Sequence, residues 1–154
     1  MSETDRAEAQ RYLTPAEFEL FQRMPANDQR HGIAVLRMIR EAGYESPELF
    51  IAALLHDVGK TRTHLRLWER ALVVLGRAFM PGVAACLAQG QPYGLARPFV
   101  TAARHPDWGA DMVATAGGSV LAVALIRRHA EPLAKLESQE DHLLAALQQA
   151  DNEN

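Results

Sequence analysis

The sequence holds a single cysteine, Cys86, in 154 residues, which excludes a disulfide framework and suits a reducing compartment. It also lacks an excess of positive charge. The formal net charge is −3, and a dedicated nucleic-acid binder needs a basic face, so none is expected. Met1-Ser2-Glu3-Thr4-Asp5-Arg6 is charged and has no apolar stretch of the secretory kind, so the expectation is a cytoplasmic protein. No run alternates with period two over a strand's length, and there is no internal repeat or low-complexity segment. The one stretch that suggests a membrane segment, Ala71 to Ala88, carries only Arg77 but is broken by Pro81-Gly82. Each half is shorter than the roughly 20 apolar residues that span a bilayer, so no transmembrane segment is expected. Two buried helices, a lid, or a self-association surface giving a homodimer are the readings of that stretch.

What remains is helical. With 48% hydrophobic and 23% charged residues the chain can bury a core, and its length suits one domain. The expected division is a flexible segment over 1–13 and a single all-α helical bundle over 14–154. Thr14-Pro15-Ala16-Glu17 reads as a cap, a first-turn proline and a capping-box glutamate, opening a helix that ends near Met24-Pro25. Further helices are expected from Asp28 to Ala42, Ser46 to Val58, Leu65 to Phe79, a short piece Val83 to Leu87, then Pro98–Arg104, Pro106–Ala116, Ser119–His129 and Ser138–Ala150. From Lys60 to Arg104 seven basic residues face Glu69 alone, a local excess that suits an anionic ligand or a set of solvated arginines.

Four of the six histidines lie where a helix turns them inward or where an apolar run ends. At 100° per residue His31 shares a stripe with Ala34, Val35, Met38 and Ala42, and His129 one with Ala122, Leu125 and Ile126. His56 and Asp57 close the run Phe50 to Leu55. His105 precedes Pro106, which predicts an extended residue capping the next helix. His142 falls on the polar side of its helix. His64 reads as a surface histidine and Trp68 as packing. Asp107 is explained by the helix dipole. Unpaired polar groups in an apolar interior cost several kcal/mol, roughly, and a metal supplies partners for several at once. Imidazole and carboxylate donors suit Fe, Mn, Zn, Co or Ni better than Mg or Ca.

The segment Ala52-Ala53-Leu54-Leu55-His56-Asp57-Val58-Gly59-Lys60 resembles the signature of the HD-domain metal-dependent phosphohydrolases, of HD/HDIG type. His31 in Asp28-Gln29-Arg30-His31-Gly32 matches the upstream ligand of that family. Arg104-His105-Pro106-Asp107-Trp108-Gly109-Ala110 and Ile126-Arg127-Arg128-His129 resemble the third and fourth histidine motifs of its two-metal branches, and Asp151 matches the closing aspartate. Asp141 competes for that last place, but it lies far from the apolar face of its helix and is explained as a cap. The resemblance implies that His31, His56, Asp57 and Asp151 hold one divalent ion, and that Asp57, His105 and His129 hold a second, with Asp57 bridging. One ion alone is the alternative. It further implies a binuclear phosphohydrolase acting on a small phosphorylated substrate, a nucleotide among the candidates, through a metal-bridging hydroxide. Asp57 and Lys60 are then the catalytic candidates, with Lys60, Arg30, Arg104 and Arg128 the candidates for substrate contact; a solvated lysine is the other reading of Lys60. A metal-containing module that only senses a phosphorylated ligand is the alternative function. After His129 the chain reads Ala130-Glu131-Pro132, without the Gly-Tyr-Pro motif of the HD-GYP branch, which speaks against cyclic-di-GMP as substrate.

Overall fold

In the computed structural model, residues 1–63, 65–133 and 135–153 are described; His64, named above, lies outside them. Nine α-helices and no strand occur among these residues: α1 (Glu3–Gln10), α2 (Pro15–Arg23), α3 (Ala26–Glu41), α4 (Pro47–Leu55), α5 (Leu67–Phe79), α6 (Pro81–Ala88), α7 (Ala96–Thr115), α8 (Val120–Arg128) and α9 (Gln139–Glu153). A 3-10 turn, Val58–Arg62, follows α4. None of the described helices is long and apolar enough to cross a membrane.

The central element is α4, Pro-Glu followed by seven apolar residues, six of which are buried. A helix apolar on every side has to be surrounded. It is packed against α2, α3, α8 and α9, and the main core runs through Ile33, Leu36, Leu54, Leu125, Ile126, Leu144 and Leu147. Gly32 allows α3 to approach closely, because a Cβ there would lie 3.0 Å from the Leu54 carbonyl oxygen. That approach sets His31 beside the end of α4.

Three local expectations are corrected. Residues 1–13 include an ordered helix. Ser2 and Asp5 form a reciprocal capping box, Ala9 is buried, and Arg37 on α3 bonds both Asp5 and Glu8. The helix holding the histidine–aspartate pair ends at Leu55, with His56 as its cap, and the chain tightens into the 3-10 turn. The third concerns Pro106, which stands inside the single helix α7 instead of dividing two helices, so His105 is helical. A proline removes one helical hydrogen bond and usually costs about 3 kcal/mol. Here the 3-10 turn packs tightly along the same stretch of α7.

Gly59 makes this contact. A Cβ at Gly59 would meet the His105 carbonyl oxygen at 2.0 Å and the Gly109 nitrogen at 2.7 Å, both immovable backbone. Gly59→Ala should therefore force the turn off α7 and cost about 3 kcal/mol, the upper part of the overpacking range. Urea denaturation of the metal-free protein would measure it; a loss under 1 kcal/mol would mean that the approach is not this tight.

The α5–α6 pair stands apart from the main core, with Val73, Ala84 and Phe99 forming a small cluster against α7. Its outward side leaves Trp68, Val74, Leu75, Phe79, Met80 and Val83 exposed, so the expected packing role of Trp68 is not observed and the two helices are not fully buried. What fastens α5 is Glu69, a buried carboxylate accepting from Arg97 Nη2 at 2.7 Å, Arg97 Nε at 3.1 Å and the Arg66 backbone N–H at 2.7 Å. Arg97, then the Arg66 amide, hold it below its ordinary value of 4.5. A depressed carboxyl contributes stability that is present above the unfolded value and lost as pH falls through the folded one. Glu69→Gln should thus cost about 1–3 kcal/mol at pH 7, with the difference from wild type shrinking below pH 4.5, as urea titrations at pH 7 and pH 3 would report.

Candidate metal centre

Four elements deliver histidines to one place. His31 comes from the second turn of α3, His56 from the cap of α4, His105 from the middle of α7 and His129 from the cap of α8. Their rings form a continuous edge-to-face chain, with centroids 5.2 Å apart for His31–His56 and His56–His129 and 5.1 Å for His105–His129. Two carboxylates join them. Asp57 follows His56 directly, and Asp151 reaches in from the last turns of α9, its Oδ1 2.7 Å from His31 Nε2 and 3.4 Å from His56 Nε2. Asp141 lies elsewhere: it caps α9 with Ser138 and pairs with Arg128.

The tautomers follow from the backbone. Nδ1 of His56, His105 and His129 faces the carbonyl oxygens of Ala53, Thr101 and Ile126 at 3.0, 3.3 and 2.7 Å. A carbonyl only accepts, so each Nδ1 carries the hydrogen and donates, and each Nε2 is turned toward the centre as a donor atom for a cation. The consequence is greatest where Nε2 of His105 and Nε2 of His129 face each other at 3.2 Å. Two lone pairs at that separation need a positive charge between them, a proton or a metal ion. Asp57 Oδ1 completes the triangle, 3.5 Å from His105 Nε2. His56 Nε2 is likewise buried with no hydrogen-bond partner among the described residues, 3.8 Å from Asp57 Oδ2.

Electrostatics divide the site. Burial, with the His56 and His105 rings, pushes the His129 imidazole down to about 3, so it is neutral across the physiological range, as a metal ligand must be. Burial also opposes charge on His56, but Asp57 and Asp151 outweigh it and hold that imidazole above 6.5. Asp57 stays well below the ordinary carboxylate range despite its burial, because His56, His105 and Lys60 surround it; Lys60 Nζ donates to Oδ2 at 2.5 Å. Asp151 is depressed against burial by His31 and His56. Each of these carboxylates gathers positive charge around it.

The donor atoms fall into two groups whose members lie within 4.8 Å of one another: His31, His56 and Asp151, then Asp57, His105 and His129. Asp57 stands between them, Oδ2 toward His56 and Oδ1 toward His105. An orphaned buried imidazole nitrogen and a four-imidazole, two-carboxylate donor set fit divalent transition metals. Of the other sequence candidates, Lys60 lines the cavity above these ligands. Arg30, Arg104 and Arg128 are not brought to it. Arg30 bonds Asn27 on the outer face of α3, Arg104 is exposed on α7, and Arg128 is tied to Glu140 and Asp141 at 2.5 and 2.9 Å. The reason is helical geometry, since neighbours of an inward residue point about 100° away from it. Asp107 is drawn outward by Arg127, 2.9 Å away.

Sequence reasoning missed Arg23, Asp28, Arg70 and Arg77, which line a second cavity adjoining the first. The one available signal was the spacing of Arg70 and Arg77, seven residues apart on one side of α5 within the basic stretch.

Comparison with known proteins returned one family model, described as the HD domain, matching residues 29–153. No curated protein and no solved structure gave a match. The matched span begins just before His31 and ends just after Asp151, enclosing all six donor residues. With its helical architecture and its histidine–aspartate doublet, the chain belongs to the HD-domain superfamily of metal-dependent phosphohydrolases.

Proposed function

We propose that this protein hydrolyses a phosphoester or phosphoanhydride bond in a nucleotide-like or other small phosphorylated compound. It does so with two divalent ions, one held by His31, His56, Asp57 and Asp151 and the other by Asp57, His105 and His129. The observation that carries the reading is the pair of facing imidazole nitrogens, 3.2 Å apart beside a buried carboxylate. Such an arrangement is electrostatically unfavourable for a merely structural core and suits a cation site. Bound ions supply Lewis acidity toward phosphate oxygens and a lowered pKa for coordinated water.

The chain's own residues do the rest. Backbone carbonyls at Ala53, Thr101 and Ile126 fix three imidazole orientations before any ligand arrives, so little reorganisation is needed on binding. His105 and His129 are buried, while His31 and Asp151 are partly exposed. Beside them lies a cavity of about 430 Å³ lined by Lys60, Gln148 and Asn152 together with Asp57, His105, His129 and Asp151. Lys60 places its ammonium at Asp57, where it meets a phosphate oxygen entering that cavity and leaves the carboxylate less burdened by negative charge.

Protein reconstituted with Mn(II) or Fe(II) should turn over p-nitrophenyl phosphate or members of a nucleotide panel and lose that activity on chelation. Metal-replete protein that binds nucleotides without turnover would instead make it a sensing module, and protein that takes up no metal would refute both.

A further inference from the structure

Lys60 and His105 belong to two cavities at once. The second and larger, about 550 Å³, extends from the metal-ligand side toward the α2–α3 junction and α5. Its walls are partly apolar, from Met24, Pro25, Leu65, Val73 and Ala102, and its polar lining is strongly one-signed. Arg23, Arg70 and Arg77 line it together with Lys60, against Asp28 as the single acid. Arg23 and Arg77 have no carboxylate partner among the described residues. Arg70 is held only loosely, its Nη1 3.5 Å from Asp28 Oδ1. Asp28 itself is buried, and its Oδ2 has no hydrogen-bond donor among the described residues.

A buried carboxylate oxygen without a donor and cations without an anion, in one concave space, are two deficits of opposite kind. A single molecule can satisfy both if it carries an anionic group for the arginines and a hydroxyl or amino hydrogen for Asp28. Since the space shares Lys60 and His105 with the catalytic cavity, that molecule reaches the metal ligands from it. Resting on the phosphohydrolase reading, we infer that the larger cavity seats the leaving group of the substrate, and that this leaving group bears a phosphate of its own together with hydroxyl or amino donors. The substrate is thus doubly phosphorylated: one phosphate lies over the metal ligands at Lys60, and a second is paired with Arg70 and Arg77. Arg23 raises the local potential at the rim.

A matched pair of probes differing by one phosphate isolates this second subsite. Adenosine 5′-monophosphate yields a leaving group with no phosphate, whereas adenosine 3′,5′-bisphosphate yields one that keeps a phosphate. The metal-loaded protein should favour the bisphosphate at least tenfold in kcat/KM, mainly through KM. Arg70→Met/Arg77→Met should bring that ratio to within about twofold of unity. A wild-type ratio near one, or a ratio unchanged in the double variant, would overturn the inference. If neither compound is turned over, the parent reading is decided by its own test with p-nitrophenyl phosphate and the nucleotide panel. Calorimetric titration of the same two compounds then still decides the subsite: tighter bisphosphate binding that the double variant abolishes supports it, and equal binding refutes it.

Discussion

Replacing Asp57 by alanine should abolish turnover by at least about a thousandfold and weaken both metal sites together. The magnitude follows from where its oxygens point. Oδ1 faces His105 and Oδ2 faces His56, so this one carboxylate borders both donor groups. A thousandfold loss corresponds to about 4 kcal/mol of transition-state stabilisation, which is in the range that a bound metal supplies at a phosphoryl oxygen. Folding should largely survive, because Asp57 is a buried charge whose removal also relieves desolvation, and because Lys60 is one-third exposed and can turn to water. Asp57→Asn is the companion variant: it keeps the shape and one accepting oxygen while removing the charge. Turnover within tenfold of wild type in both variants, with circular dichroism unchanged, would remove Asp57 from its bridging place.

The second large effect concerns the chain's last turn. Ending the protein at Ala150 should take one metal and leave the other. Asp151 supplies the carboxylate of the His31–His56 group alone, whereas Asp57, His105 and His129 do not depend on it. Helix ends fray unless something ties them, and at α9 the ties are the 2.7 Å contact with His31 and the buried Ala150 beneath it. A truncated chain should therefore bind one ion where the full chain binds two, with a catalytic loss as deep as that of Asp57→Ala. Asp141→Asn, by contrast, touches only the α9 cap and its Arg128 pair, and should lower stability slightly with metal content unchanged. Retention of both ions by the truncated chain would place the closing ligand elsewhere.

Local chemistry made much of this readable. The Thr14–Glu17 and Ser138–Asp141 boxes mark helix starts because a side chain satisfies an orphan amide wherever such a sequence occurs, and both are present. His31 and His129 are legible because the helical period fixes which face a residue occupies, whereas His105, expected to be extended, is helical. The misreadings share a cause in tertiary packing. Pro106 reads as a boundary until Gly59, forty-seven positions earlier, is seen to hold the 3-10 turn against it. Residues 3–10 read as a tail because their helix is held by Arg37, far along the chain. Proximity in sequence to a ligand suggested Arg30, Arg104 and Arg128, whereas the cavity's cations come from Arg23, Arg70 and Arg77 on two helices that only the fold brings together. A cavity wall has no sequence period, so its members could not be gathered by pattern.

The most direct test counts metal per polypeptide in freshly purified full-length chain by elemental analysis, repeated after chelation and reloading. Close to two transition-metal ions per chain, falling to one on deletion of residues 151–154, is the result that six converging donors require. A folded chain that holds none, and takes up none from micromolar Mn(II), Fe(II) or Zn(II), would contradict it, and the facing imidazoles would then have to share a proton.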